Sequence, residues 1–256
     1  MGANASASSS STSLIDRLRT EIAVVGFDTA TADTAVCSTR GGTAMHEERL
    51  GLGPDGSPRH STALLAEVER AVAAIGGWGA VGRIAVGLGP GSFVGIRIAI
   101  ATARGLAAST GLPVTGICTL DALGRAAGEA VGPDRACLAV LDARRGEVFA
   151  ALYSADGSRL WEPFVAKPAE LADRVGALPQ PSLAVGSGAV RFRDELASRD
   201  VEVPGDADPV HRVAARHVCA LAEADEGGDG DRLEPIYLRP PDAQRWRERN
   251  DVRTAN

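Results

Sequence analysis

Residues 22–27 are an unbroken run of apolar residues and glycine closed by Asp28, the pattern of a buried strand. Residues 29–33 are small and polar and read as a turn. Residues 34–38 then predict a second strand and 43–49 a third. After a Gly/Pro-rich stretch at 51–60, Leu64, Leu65, Val68, Val72 and Ile75 recur at helical spacing. They predict a helix over 61–75, capped by Ser61-Thr62 and stopped by Gly76-Gly77. Residues 83–87 predict a strand. A glycine-rich segment follows, then a helix from about 95 to 109 and a strand over 113–118. The second half predicts strands over 136–141, 147–153 and 182–186. Helices are expected at 119–130, 168–177, 188–198 and 209–224, the last opened by Asp208-Pro209 as a cap with proline in the first turn.

The two halves restart alike. Each runs apolar strand, aspartate (Asp28, Asp142), short polar turn, apolar strand. This points to an internal duplication, with two ordinary β-hairpins as the plainer alternative. Two half-chains of this form suggest an α/β, actin/Hsp70/sugar-kinase-like two-lobe fold, built from a duplicated β-hairpin-plus-helix unit. The expected first lobe is 21–118, with 206–239 packing back on it, and the second is 119–205. Residues 1–19, rich in Ser and Ala, read as a disordered extension and 240–256 as a flexible tail.

Composition narrows the chemistry. The formal net charge is −6 over 256 residues, which argues against gripping nucleic acid through bulk charge. Lys167 is the one lysine among 27 basic residues, a bias that fits a GC-rich genome. The four cysteines form no CxxC, and they read as buried free thiols of a reducing compartment. No apolar run approaches the length of a membrane span, and the N-terminus lacks a signal-peptide pattern. The expected location is cytoplasmic.

In a two-lobe fold of this kind, small hydroxylated hairpin turns let backbone amides approach phosphate. Asp28, Thr29 and Thr31 suit this moderately. Asp142, Arg144 and Arg145 suit it poorly, although the arginines could pair with an anion. The glycine-rich loop has neither GxxxxGK[ST] nor GxGxxG spacing, and Ser92 lacks the G-x-S-x-G context of a hydrolase elbow. His211 and His217 are six residues apart, not the i, i+4 of a zinc-binding helix. His60 reads as a cap or surface residue. No metal or cofactor is expected. On helix 95–109, Gly95, Ala99, Ala103 and Ala107 form a small-residue row. The helix is apolar nearly all round, so it is either sandwiched within one domain or buried in part by another subunit.

These residues resemble a known family. Leu88-Gly89-Pro90-Gly91-Ser92-Phe93-Val94-Gly95-Ile96-Arg97, followed by Ala101-Thr-Ala-Arg-Gly-Leu-Ala107, is similar to the signature of the TsaB (YeaZ) family. Phe27-Asp-Thr-Ala-Thr31, His60-Ser61, Leu141-Asp-Ala-Arg-Arg-Gly-Glu-Val148 and Pro235-Ile-Tyr-Leu-Arg239 match in the same order. The resemblance implies an accessory subunit in making N6-threonylcarbamoyladenosine on tRNAs that read ANN codons. Its implied partners are a TsaD-type catalytic paralogue, as a heterodimer, and a TsaE-type ATPase. Pairing with itself when alone stays open, and tRNA would be met only through the complex. The HxxxH pair that holds the metal of TsaD is missing here, which weighs against independent transfer and against the M22-type peptidase activity with which the family is also filed. An actin-fold phosphotransferase using Asp28 and Asp142 is the other alternative. For the partner interface, the expected stripes are Leu64, Val68 and Ala71 on the first helix and Arg97, Ala101, Arg104 and Ala108 on the second.

Overall fold

The computed structural model describes residues 22–130, 135–178 and 182–239. The expected extension at 1–19 and tail at 240–256 lie outside the described residues.

Two sheets wind in the same way. In the first, β1 (Ala23–Asp28), β2 (Thr34–Arg40) and β3 (Thr43–Leu50) are antiparallel neighbours. β4 (Arg83–Gly87) and β5 (Val114–Ile117) add in parallel on the other side of β1, giving the order β3-β2-β1-β4-β5. In the second, β6 (Ala136–Asp142), β7 (Val148–Tyr153) and β8 (Arg159–Ala166) repeat the antiparallel trio, and β9 (Ser182–Val185) pairs parallel to β6. The order β8-β7-β6-β9 is that of the first sheet less its last strand. The duplication read from the hairpins is therefore a duplication of topology. This is the actin-like two-lobe fold.

Seven helices are described: α1 (His60–Ala74), α2 (Phe93–Thr110), α3 (Thr119–Ala130), α4 (Pro168–Gly176), α5 (Ser187–Arg191), α6 (Arg193–Ala197) and α7 (Ala215–Glu223). The strand period of two sorts β1 between two cores. Val25 and Phe27 pack beneath α1 and α2, while Val24 faces α7. In β6, Cys137, Ala139 and Leu141 face the same central layer, while Leu138 and Val140 face the outer core with α4 to α6. Thus α3 and α7 are sandwiched between the sheets. Gly26 seats α7, since a Cβ there would press on Cys219 Sγ. Gly124 likewise seats α3 on the Tyr153 ring, and the Tyr153 hydroxyl donates to Asp121 Oδ1 at 2.6 Å. All four cysteines are buried and free.

Three expectations need correction. The helix expected over 188–198 is two short ones, broken at Phe192 (φ −115°, ψ 36°). The Asp208-Pro209 signal caps a single 3-10 turn (Pro209–His211), where Asp208 accepts from Val210 N. The chain then runs extended, and α7 starts only at Ala215. Strand β8 has no counterpart among the expected elements. It contains Pro163 and lies at a sheet edge, where proline is tolerated, so its sequence lacks the usual strand signal.

Candidate functional site

Each hairpin aspartate makes the same turn. Asp28 Oδ1 accepts from Ala30 N at 2.7 Å, and Asp142 Oδ1 accepts from Arg144 N at 2.8 Å. Such a bond two residues ahead is the local preference of aspartate. Beyond it the hairpins differ.

The first hairpin is closed by its own chain. Asp28 is buried, and its second oxygen accepts from Thr119 Oγ1 at 2.7 Å. Burial pushes its carboxyl pKa up; the bonds from Thr119 and Ala30 pull it back. Thr29 Oγ1 donates to Gly95 O, and Ser92 N donates to Ala30 O, both at 2.7 Å. A Cβ at Gly87 would overlap the Asp28 carboxylate, one at Gly91 would overlap Ala30 O, and one at Gly95 would overlap Thr29 O. The signature loop Gly89, Pro90, Gly91, Ser92, Phe93, Gly95 is therefore a packing surface for the hairpin. Ser92 also caps α2 by accepting from Gly95 N. His60 is not a surface residue. It is buried, with Nδ1 2.9 Å from Thr34 Oγ1 and Nε2 3.2 Å from Thr31 O, and burial holds its pKa below the ordinary histidine value. Thr29 and Thr31 are thus engaged within the chain, and the turn amide of Ala30 is already taken by Asp28.

The second hairpin is open. Arg144 (φ 64°) and Arg145 (φ 58°) are exposed and left-handed, a conformation that costs about 1–2 kcal/mol per non-glycine residue. Arg191 Nη1 pairs with Asp142 Oδ2, and Arg239 Nη1 pairs with Glu147 Oε2, both at 2.7 Å. Arg239 Nη2 also donates to Ala143 O at 3.0 Å.

Residues 236–239 connect this hairpin to the first lobe. Ile236 N donates to Leu88 O at 2.9 Å. The Tyr237 ring stacks on Phe93 with centroids 5.5 Å apart. Arg97 lies 3.6 Å over the Phe93 ring, and its Nε donates to the Tyr237 hydroxyl at 3.1 Å. The sequence signal for Tyr237 and Arg239 was only their place in the matched 235–239 segment; their contacts are too distant along the chain to read from spacing.

On the helices, the two predicted stripes separate. Leu64, Val68 and Ala71 are 2%, 0% and 0% exposed, because they face β1 and β2 in the core beneath α1. They are unavailable to a partner, and the outward apolar residue of α1 is Leu65, 56% exposed. On α2, Arg97, Ala101, Arg104 and Ala108 do face outward, opposite buried Ala99 and Ala103. Arg104, however, donates to Gly230 O, Asp231 O and Leu233 O. Its guanidinium binds the 230–233 segment to α2. Phe93 and Val94 extend the outward face, at 41% and 64% exposure.

Among the described residues, no three His, Cys, Asp or Glu side chains gather into a set that could hold a metal ion. His211 Nδ1 accepts from Gly186 N, and His217 is buried near Glu129 with its pKa held down to about 4, chiefly by burial. No described helix is long and apolar enough to cross a membrane.

Residues 37–225 match the family model described as TsaD, tRNA N6-adenosine threonylcarbamoyltransferase. Escherichia coli TsaB, named as a tRNA threonylcarbamoyladenosine biosynthesis protein, is 30% identical over 231 residues, 84% of this chain and 94% of its own. The chain belongs to the TsaB family. An uncharacterized Mycobacterium tuberculosis relative is 38% identical over 161 residues. That match takes in 63% of this chain and 65% of the relative, just under two thirds of its length. Among solved structures, YeaZ from Pseudomonas aeruginosa superposes with a TM-score of 0.70 at 26% identity, covering 85% of this chain and all of that one. The TsaB signature loop is thus the loop that closes the first hairpin here.

Proposed function

We propose that this chain is a non-catalytic scaffolding subunit of a complex that makes N6-threonylcarbamoyladenosine on tRNA. It acts by pairing with a TsaD-type transferase. The observation that carries the reading is the closed first hairpin. Where a phosphate-handling member of this fold needs open backbone amides, the glycine loop is seated on the turn and Asp28 is spent on Thr119 and Ala30. What the first lobe offers instead is an outward helix face. Phe93, Val94, Arg97, Ala101 and Ala108 of α2, with Leu65 of α1, present small and apolar groups around an aromatic–arginine stack, the composition of an interface core. A TsaE-type ATPase joins the pair, and tRNA is met by the assembly. Without its partner, the same face is open to a second copy of the chain.

The test is calorimetric titration of the TsaD-type partner with the wild type and with Ala101→Trp. Overpacking at Ala101 is expected to weaken association by about 1–3 kcal/mol, with an unchanged circular dichroism spectrum. Undiminished binding would move the interface off α2. Micromolar binding of ATP-Mg by the chain alone would favour the phosphotransferase alternative.

A further inference from the structure

A cavity of about 420 Å³ opens at the C-terminal end of α2, against the 228–231 segment. Its volume lies in the range of sites that take a single bound group, about 300–1,000 Å³. The walls differ in character. Ala107, Ala108, Leu112 and Pro113 make one side apolar. Arg104 forms another wall, its guanidinium fixed by the carbonyls of Gly230, Asp231 and Leu233. A guanidinium held in this way is a surface on which an aromatic ring can stack. The rim is acidic. Asp229 and Asp231 line it, and both are exposed. Asp229 caps the turn at Gly230–Arg232 by accepting from Asp231 N, while the Asp231 carboxylate has no cation paired with it among the described residues. The carbonyl end of α2, capped by Gly111, adds partial negative charge. An apolar side, a guanidinium wall and an acidic rim together suit an aromatic ring flanked by cations.

We propose that this cavity takes Trp246, from the chain's own segment after Arg239. Residues 245–249, outside the described residues, read Arg245-Trp246-Arg247-Glu248-Arg249, a tryptophan between arginines, with three arginines against one glutamate. Residues 225–234, which supply the rim, hold five acids against Arg232. The two segments are therefore complementary in charge, and the indole matches the apolar side and the Arg104 wall. The reach is sufficient. Tyr237 is fixed on Phe93 at the start of α2, and Trp246 is nine residues further on, a span of up to about 30 Å. Ala108, on the cavity wall, is fifteen residues along the helix from Phe93, a rise of about 22 Å. The docked segment then makes up the outward face at the Ala108 end of α2. The inference concerns the chain alone and stands apart from the scaffold reading.

The test is acrylamide quenching of tryptophan fluorescence in the full chain. The difference between the wild type and Trp246→Phe isolates Trp246 from Trp78 and Trp161. Trp246 is expected to emit at shorter wavelength than a free indole and to be shielded from the quencher. Two variants address the cavity from different sides. Ala108→Phe puts a ring into the space, and Asp231→Lys reverses the rim. Each is made with and without Trp246→Phe, and both should remove the shielding of Trp246 while the circular dichroism spectrum stays that of the wild type. Added salt should weaken the shielding as well, because the rim contacts are exposed. Quenching of Trp246 as a free indole in the wild type would overturn the proposal. So would shielding that survives both cavity variants, which would seat the tryptophan elsewhere. Shielding that is lost on dilution would also overturn it, because the occupant would then come from a second copy of the chain.

Discussion

Asp28 is a structural carboxyl, and its environment sets a pH dependence. Burial raises its pKa in the folded chain above its unfolded value. A raised carboxyl contributes stability that is fully present below the unfolded pKa and is lost as pH rises through the folded pKa. This group therefore favours folding more at acid than at neutral pH. Asp28→Asn keeps the acceptor for Ala30 N and can donate to Thr119 Oγ1, so it should fold and show a flatter melting temperature between pH 4 and 8. A variant with the same pH slope as the wild type would show that Asp28 is not the titrating group. Asp28→Ala should instead cost about 1–3 kcal/mol, because the Ala30 amide and the Thr119 hydroxyl lose their buried acceptor. Gly95→Ala should be more damaging still, since its Cβ has no room beside Thr29 O. Urea denaturation ranks all three.

Among the elements, α1 and α2 each bury one face in the core and expose the other, and on the scaffold reading the exposed faces dock the partner. Leu64→Ala should destabilise the chain by about 2–5 kcal/mol, as a buried leucine truncation does. Leu65→Asp, one residue away but outward, should leave the melting temperature nearly unchanged and weaken partner binding. The reverse pattern would show α1 to be turned over. Arg104→Glu should loosen the 230–233 segment by removing three hydrogen bonds to carbonyls, which hydrogen exchange at Leu233 would report. These assignments also mark how far the sequence could be read. The helical period of α1 is plain, yet the apolar stripe Leu64, Val68, Ala71 carries no label saying whether sheet or subunit covers it. The small-residue row of α2 was ambiguous for the same reason. Its buried side, Gly95, Ala99 and Ala103, is required by the chain's own hairpin and sheet. Strand β8 was illegible because an edge strand with a proline does not show strand alternation. The hairpins, by contrast, were legible because aspartate after an apolar run and before a small polar turn is a local device, settled within six residues.

At the scale of the whole molecule, the two lobes share their middle. The α3 and α7 helices pack between the sheets in one continuous core, which joins Val24 and Ala85 of the first sheet to Cys137 and Ala139 of the second. Neither sheet can keep its inner face buried alone, so calorimetric unfolding should be a single transition; two resolved transitions would mean independent lobes. Duplication of topology without duplication of chemistry is what the scaffold reading requires, with the first hairpin sealed by the glycine loop. The most direct test of that reading is tRNA modification reconstituted from purified subunits with a threonylcarbamoyl-adenylate donor. The account predicts no product from this chain alone, and product when the TsaD-type partner and this chain are combined, at a rate well above that of the partner alone. Modification by this chain alone at the rate of the full set would contradict it.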